Sequence, residues 1–160
     1  MDINALSNNF FVRKLNQDDL DIIYDLSIEN RTFYQYHPPI VTKESILDDM
    51  IALPPNKTMQ DKYYIGFFDN NTLVAIMDLI DGYSTEKVVF LGFFMVNAKY
   101  QKRGVGSGII RDVVTYLKEL NFEKIRLAVD KENPQSNAFW KKNKFVVVSE
   151  AEYRVMELML

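Results

Sequence analysis

The nonapeptide VVFLGFFMV, Val88 to Val96, and the octapeptide QKRGVGSG, Gln101 to Gly108, decide between them how this chain folds. The first is a charge-free run rich in β-branched and aromatic residues. It reads as a strand apolar on both faces and therefore central to a sheet. The second opens a helix, Gly104 to Leu120, with apolar residues at 109, 110, 113, 114, 117 and 120 and Asn121 at its end. A helix start leaves backbone N–H groups unpaired at the positive end of the macrodipole, and glycines let that backbone approach an anion closely. Lys102 and Arg103 add mobile charge at the same point. The physical product is a pyrophosphate cradle.

Downstream, Ile125 to Val129 reads as a strand and Pro134 to Lys142 as a helix with proline in its first turn. Phe145 to Val148 and Tyr153 to Met159 form a closing hairpin. Upstream, the strands Tyr63 to Phe68 and Leu73 to Ile80 are joined by Asp69-Asn70-Asn71-Thr72, whose residues tolerate positive φ, so they pair antiparallel. Phe10 to Leu15 is a further strand, leading into an acidic turn and helix, Asn16 to Glu29, capped by Asn16 or Asp18. Asn30 to Val41 reads as an ordered loop or irregular helix. Thr42 caps a helix reaching Leu53, before Pro54 and Pro55. Hairpins mixed with one βαβ crossover give a mixed sheet and the α+β class. No repeat or boundary divides residues 1–160, so a single domain is expected.

Cysteine is absent from the 160 residues, which removes disulfides, thiolate nucleophiles and Cys-based zinc sites, and makes a reducing cytoplasm the natural compartment. His37 is the only histidine, so a metal site with two His ligands is impossible and no metal is expected. The longest apolar run is about half the ~20 residues that cross a bilayer, and the amino terminus has no basic n-region, so neither membrane nor export is expected. Net charge is −3, but unevenly placed. Residues 1–96 hold 7 basic against 14 acidic side chains, residues 97–144 hold 11 against 5, and residues 145–160 hold 1 against 3. A basic third inside an acidic protein suggests a local anionic ligand and argues against nucleic acid.

Spacing separates the users of such a cradle. A dinucleotide fingerprint needs glycine or alanine three residues after Gly106, where Ile109 stands, and a P-loop needs a Gly-Lys-Ser/Thr tripeptide that the chain lacks. What remains is Gln101-x-x-Gly104-x-Gly106. Together with the strand Phe93 to Val96, the strand ending Leu127-Ala128-Val129, and the run Asn133 to Phe145, this resembles the GNAT acetyltransferase superfamily.

The resemblance is specific from about residue 73 to 148. It implies a mixed, mostly antiparallel sheet of six to seven strands flanked by about four helices, with a splayed central strand pair holding the cofactor, acetyl-CoA. It further implies that the backbone of Phe94, Met95 and Val96 pairs with the pantetheine arm, that Lys102, Arg103, Gly104, Val105, Gly106 and Ser107 hold the pyrophosphate, and that Gln101 belongs to the same cofactor site. Asn133 and Trp140 would touch the cofactor from beyond the next strand. The expected activity is acetyl transfer from acetyl-CoA directly to a primary amine, without a covalent enzyme intermediate. The alternative is an acyl-CoA-binding sensor or partner-binding module with little or no catalysis; another acyl donor, such as propionyl-CoA or succinyl-CoA, is a third reading.

Three positions depart from the family's pattern. Trp140 stands where a tyrosine commonly protonates the leaving thiolate, and an indole N–H donates a hydrogen bond but no proton near neutral pH. Ala128 stands where some members carry a glutamate base, and Lys144 where the family prefers glycine. Two residues are candidate bases. Asp78 interrupts an apolar strand, so its carboxylate is either desolvated with a raised pKa or paired with a cation. His37, of the side-chain type that titrates near neutrality, lies in an aromatic segment. Tyr153 could supply a phenol if the last hairpin faces the cleft. Phe33, Tyr34 and Tyr36 either wall the acceptor pocket or sit in the core. The acidic first 96 residues point to a cationic small-molecule or peptide amine, and an exposed last strand would suit a homodimer.

Overall fold

In the computed structural model, which describes residues 1–160, the nine residues Val88–Val96 form the middle strand of a seven-stranded sheet. The strands are β1 (Phe11–Lys14), β2 (Lys62–Asp69), β3 (Thr72–Ile80), β4 (Val88–Val96), β5 (Lys124–Asp130), β6 (Val146–Glu150) and β7 (Tyr153–Met159), in the spatial order β1-β2-β3-β4-β5-β7-β6. Every neighbouring pair is antiparallel except β4 and β5, which the crossover helix makes parallel. The class is α+β, as expected.

Five helices cover the sheet: α1 (Leu20–Ile28), α2 (Arg31–Tyr36), α3 (Lys43–Ile51), α4 (Val105–Glu119) and α5 (Pro134–Lys142). The count exceeds the expected four because the aromatic segment after Asn30 winds into α2, whose Phe33 and Tyr34 pack on the core behind it. Ahead of α1, Gln17–Asp19 form a 3-10 turn held by the Asn16 cap and by Arg13, whose guanidinium grips both Asp19 oxygens. Thr42 caps α3 as its sequence indicates, but the helix stops at Ile51, two residues short of Leu53, with Ala52 already extended ahead of Pro54. The Asp69–Thr72 connection turns with Asn70 at φ 51°, and Asn121 ends α4 at φ 63°.

Alternation along the strands sorts the apolar residues into two cores. On one face Ile65, Phe67, Leu79 and Val89 meet Ile109, Ile110, Val113 and Leu117 of α4. On the other, Tyr64, Phe68, Ile76 and Met95 meet Ile23 and Leu26 of α1 and Ile46 and Met50 of α3. Two irregularities in β4 shape the cavities beside it. Asp78 is paired with Phe93 and Leu79 with Leu91, so Gly92 bulges from the ladder. And β4 pairs with β5 only over Val88–Leu91 against Lys124–Leu127, beyond which the two strands part. No helix is long and apolar enough to cross a membrane.

Candidate active site

Where β4 leaves β5, half of its backbone loses a neighbour. The amide of Asn97 donates to Val74 O, so the antiparallel ladder alternates from there: Met95 exchanges hydrogen bonds with Ile76, whereas Phe94 and Val96 turn their N–H and C=O groups away from β3 into the gap. The Val96 carbonyl is taken by two side-chain amides, Gln101 Nε2 at 2.8 Å and Asn30 Nδ2 at 3.2 Å. The Val96 N–H and both groups of Phe94 are left facing the gap. Of the three residues expected to present backbone there, Met95 therefore does not, because its peptide belongs to the sheet.

A cavity of about 490 Å³ runs from this gap to the start of α4. Phe94, Met95, Val96, Gln101, Lys102, Gly104, Val105, Gly106, Ser107, Asn133 and Trp140 all line it. Lys102 (φ 61°) and Gly104 (φ 78°) are both left-handed, which reverses the chain so that the first turn of α4 faces the cavity. The first helical hydrogen bond runs from Gly108 N to Gly104 O, so the N–H groups of Val105, Gly106 and Ser107 have no partner within the helix. A Cβ at Gly104 would meet nothing within 4 Å, whereas one at Gly106 would come within 3.1 Å of Phe139. Gly104 thus keeps the approach to the amides open, and Gly106 lets α4 and α5 pack closely. With Lys102 and Lys142 on the rim, these donors suit a diphosphate.

Four expected ligand contacts also take other roles. Arg103 is turned outward, its guanidinium bonded to the Lys99 carbonyl and lying 5.6 Å over the Tyr100 ring, because its side chain leaves the loop opposite the reversal made by Lys102 and Gly104. Gln101 lines the cavity but spends its amide on Val96 O and on Asn30 Oδ1, at 2.7 Å. Asn133 is 1% exposed and caps α5, accepting from Ser136 N. Trp140 packs edge-on between Phe139 and Phe145.

A second cavity, about 510 Å³, opens on the other side of the gap. Phe33, Phe94, Ser136 and Trp140 line both cavities and form the partition. His37, Asp78, Phe33, Tyr34 and Tyr153 all line the second one, as does the methyl of Ala128. Tyr36 lines neither cavity; two residues beyond Tyr34, it falls on the opposite side of α2. His37 Nδ1 lies 3.0 Å from Asp130 Oδ2, joining the end of α2 to the end of β5. Its ring sits 5.3 Å from that of Phe33 and 6.3 Å from that of Tyr153.

Asp78 is paired and desolvated at once. Lys62 Nζ sits 2.7 Å from its Oδ2, while its Oδ1 is buried with no hydrogen-bond partner. Burial pushes this carboxyl above the usual range, and Lys62 only partly offsets it. Asp49, on the last turn of α3, lines the same cavity; crowding by protein atoms, opposed by Lys62, raises its carboxyl too although the residue surface stays open. Burial likewise raises the Tyr34 and Tyr64 phenols. No group of three or more His, Asp or Glu side chains is gathered as metal ligands would be.

Four residues at the cavities have no part in the sequence pattern: Lys62, Asp49, Asp130 and Asn30. The strand pattern begins at Tyr63, which leaves Lys62 as its flank; only the pairing of β2 with β3 turns it inward. Asp49 and Asp130 sit at element ends, where acidic residues are ordinary. Asn30 carried a detectable signal, since an asparagine between two helical segments is a natural cap, though nothing local points to Val96.

Comparison with known proteins places this geometry. A family model described as the acetyltransferase (GNAT) family matches residues 21–145. Among solved structures, an acetyltransferase from Thermus thermophilus superposes with TM-score 0.80 at 16% identity, over 95% of this chain and 97% of that one. PaiA N-acetyltransferase from Thermoplasma acidophilum, in complex with coenzyme A, gives TM-score 0.70 at 19% identity over 93% and 98%. Ribosomal-protein-S18-alanine N-acetyltransferase from Escherichia coli gives 0.65 at 14% identity over 92% of each chain.

Proposed function

Because the chain belongs to the acetyltransferase (GNAT) family, we propose that residues 1–160 act as one domain carrying acetyl from acetyl-CoA directly to a primary amine of a cationic small molecule or a peptide. The observation that carries this reading is the parting of β4 from β5 beside the glycine loop. It leaves the backbone of Phe94 and the N–H of Val96 free at one end and the amides of Val105, Gly106 and Ser107 free at the other. An arm with two amides, ending in a diphosphate, complements both.

Acetyl-CoA supplies an acyl group activated as a thioester. The Val96 N–H and the Phe94 backbone orient the arm, and the Phe94 and Trp140 rings keep water from the partition. Lys102 and Lys142 balance the phosphate charge. Transfer forms a C–N bond and breaks a C–S bond. The proton shed by the amine goes to Asp78, raised by burial to a pKa better matched to that task. His37, already held by Asp130, is the second candidate. The sulfur leaves without a tyrosine, since a thiol of pKa ~8.5 gives a tolerable thiolate. Asp49 and Asp130 beside the acceptor cavity favour a cationic amine, and the lack of cysteine suits a reducing cytoplasm. The last strand, β7, is not the exposed edge expected of it, because β5 and β6 flank it on both sides; the edge that supports a homodimer is β6, exposed from Val146 to Glu150.

Titration calorimetry with acetyl-CoA, followed by thiol release across an amine panel, tests this reading. Binding with turnover is expected; absence of heat from a natively folded protein overturns it. The sensor alternative draws on the buried Trp140 and on Ala128 lining the acceptor cavity without a carboxylate. Binding without turnover on any amine favours it.

A further inference from the structure

Lys62 is a buried cation with a single anionic partner. Its side chain is 1% exposed, its Nζ lies 2.7 Å from Asp78 Oδ2, and the Tyr64 ring sits 5.8 Å away. An ammonium removed from water is costly even when paired, and a well-packed apolar pair in place of both ions would serve stability at least as well. The pair therefore calls for a reason beyond packing. Asp78 itself is held by one oxygen only, since Oδ1 has no partner. The held oxygen is also the one that faces the bulge in β4: a Cβ at Gly92 would stand 3.0 Å from Asp78 Oδ2. Glycine at that position keeps the oxygen reachable from the cavity that Asp78 and Gly92 both line.

We propose that Lys62 is a positioning residue for the transfer reaction, holding Asp78 ionised and turned toward the bulge at Gly92, where the acceptor amine gives up its proton. This rests on the reading of Asp78 as proton acceptor. The groups facing Asp78 are few. From β2 come Lys62 and Tyr64, and from α3 Asp49; α2 and the residue after it bring Tyr34 and His37, the latter bonded to Asp130 of β5. β4 brings only uncharged Gly92 and Phe93. Among them Lys62 is the one lysine or arginine. Burial and Asp49 both push the Asp78 carboxyl upward, and Lys62 is the pull in the other direction. Removing that charge leaves only upward pushes.

The test compares wild type with Lys62→Gln, Lys62→Met, Lys62→Arg and Asp78→Asn. Two readouts are taken: the pH dependence of kcat/KM with an accepted amine, and the 13C titration of the Asp78 carboxyl in the substrate-free protein, assigned through Asp78→Asn. In the uncharged variants both the ascending limb and the 13C midpoint are expected to move up by about one pH unit or more, a loss of roughly tenfold in rate at a pH below the limb. Lys62→Arg is expected to hold the midpoint near that of wild type. Should Lys62→Gln fail to fold, judged by thermal melting, Lys62→Met carries the same measurement in a shape that suits the apolar surroundings. An unmoved midpoint in a folded, uncharged variant overturns the role of Lys62 while leaving Asp78 in place, as does an Arg midpoint as high as that of Gln. An Asp78→Asn protein that keeps the wild-type rate and limb overturns the reading of Asp78 and this proposal with it.

Discussion

Gly104 caps α4, Gly106 lies in its first turn, and the two do opposite things. Gly104 is left-handed with open space where a side chain would stand; Gly106 is pressed against Phe139. Gly104→Val costs about 1–2 kcal/mol of backbone strain and puts its methyls in front of the α4 amides. Calorimetry is expected to show acetyl-CoA affinity down by more than tenfold, while the melting temperature falls only by a few degrees. Gly106→Ala is expected to do the reverse, lowering the melting point more than the affinity. The sequence carried the first half of this distinction, since two glycines ahead of an amphipathic helix announce a turn that can hold an anion. It carried nothing about which glycine faces a ligand and which a neighbouring ring, because Phe139 lies thirty-three positions away. Arg103 escaped for a similar reason. Its charge is plain from composition, but its direction is set by the left-handed residues on either side.

Between elements, the carboxamide of Asn30 joins three of them. It accepts from Gln101 on the glycine loop, donates to Val96 O on β4 and to Leu26 O on α1, and stands at the start of α2. Asn30→Ala is expected to loosen the loop: hydrogen exchange across residues 98–104 should quicken, and affinity for coenzyme A should drop severalfold although the other residues lining the cavity are unchanged. Unaltered exchange would show that Gln101 suffices alone. At this scale the sequence was most informative where the signal is periodic or a cap. The bounds of β4, α5 and β7 follow directly from apolar runs, proline placement and hairpin spacing. It was least informative in the aromatic segment that becomes α2, where His37, Pro38 and Pro39 argue for a loop and tertiary packing of Phe33 and Tyr34 prevails.

Across the whole molecule, charge is sorted between the cavities: Asp49, Asp78 and Asp130 line the second one, and Lys102 and Lys142 line the one beside the glycine loop. Asp49→Asn is expected to raise KM for a dicationic amine about fivefold, the factor matching ~1 kcal/mol of exposed attraction, with kcat and the KM of a monoamine little changed. Acid stability has a separate source. Hydrogen bonds from Arg13 hold the Asp19 carboxyl below its usual range. That stability is present above the ordinary carboxylate pKa and is lost as pH falls through the depressed folded value. Arg13→Gln brings the folded value back up, so acid unfolding followed by circular dichroism is expected at higher pH. The parting of β4 and β5 reaches furthest. A stiff plate slit from one edge bends chiefly at the closed end, here Leu91 and Leu127, both fully enclosed. The slit cannot widen without levering those two leucines apart, so a thioester with a longer tail must thread it past Phe33 and Trp140 into the neighbouring chamber. Butyryl and longer donors are therefore expected to block the amine competitively while acylating it slowly, a molecular ruler cut by the spacing of two strands.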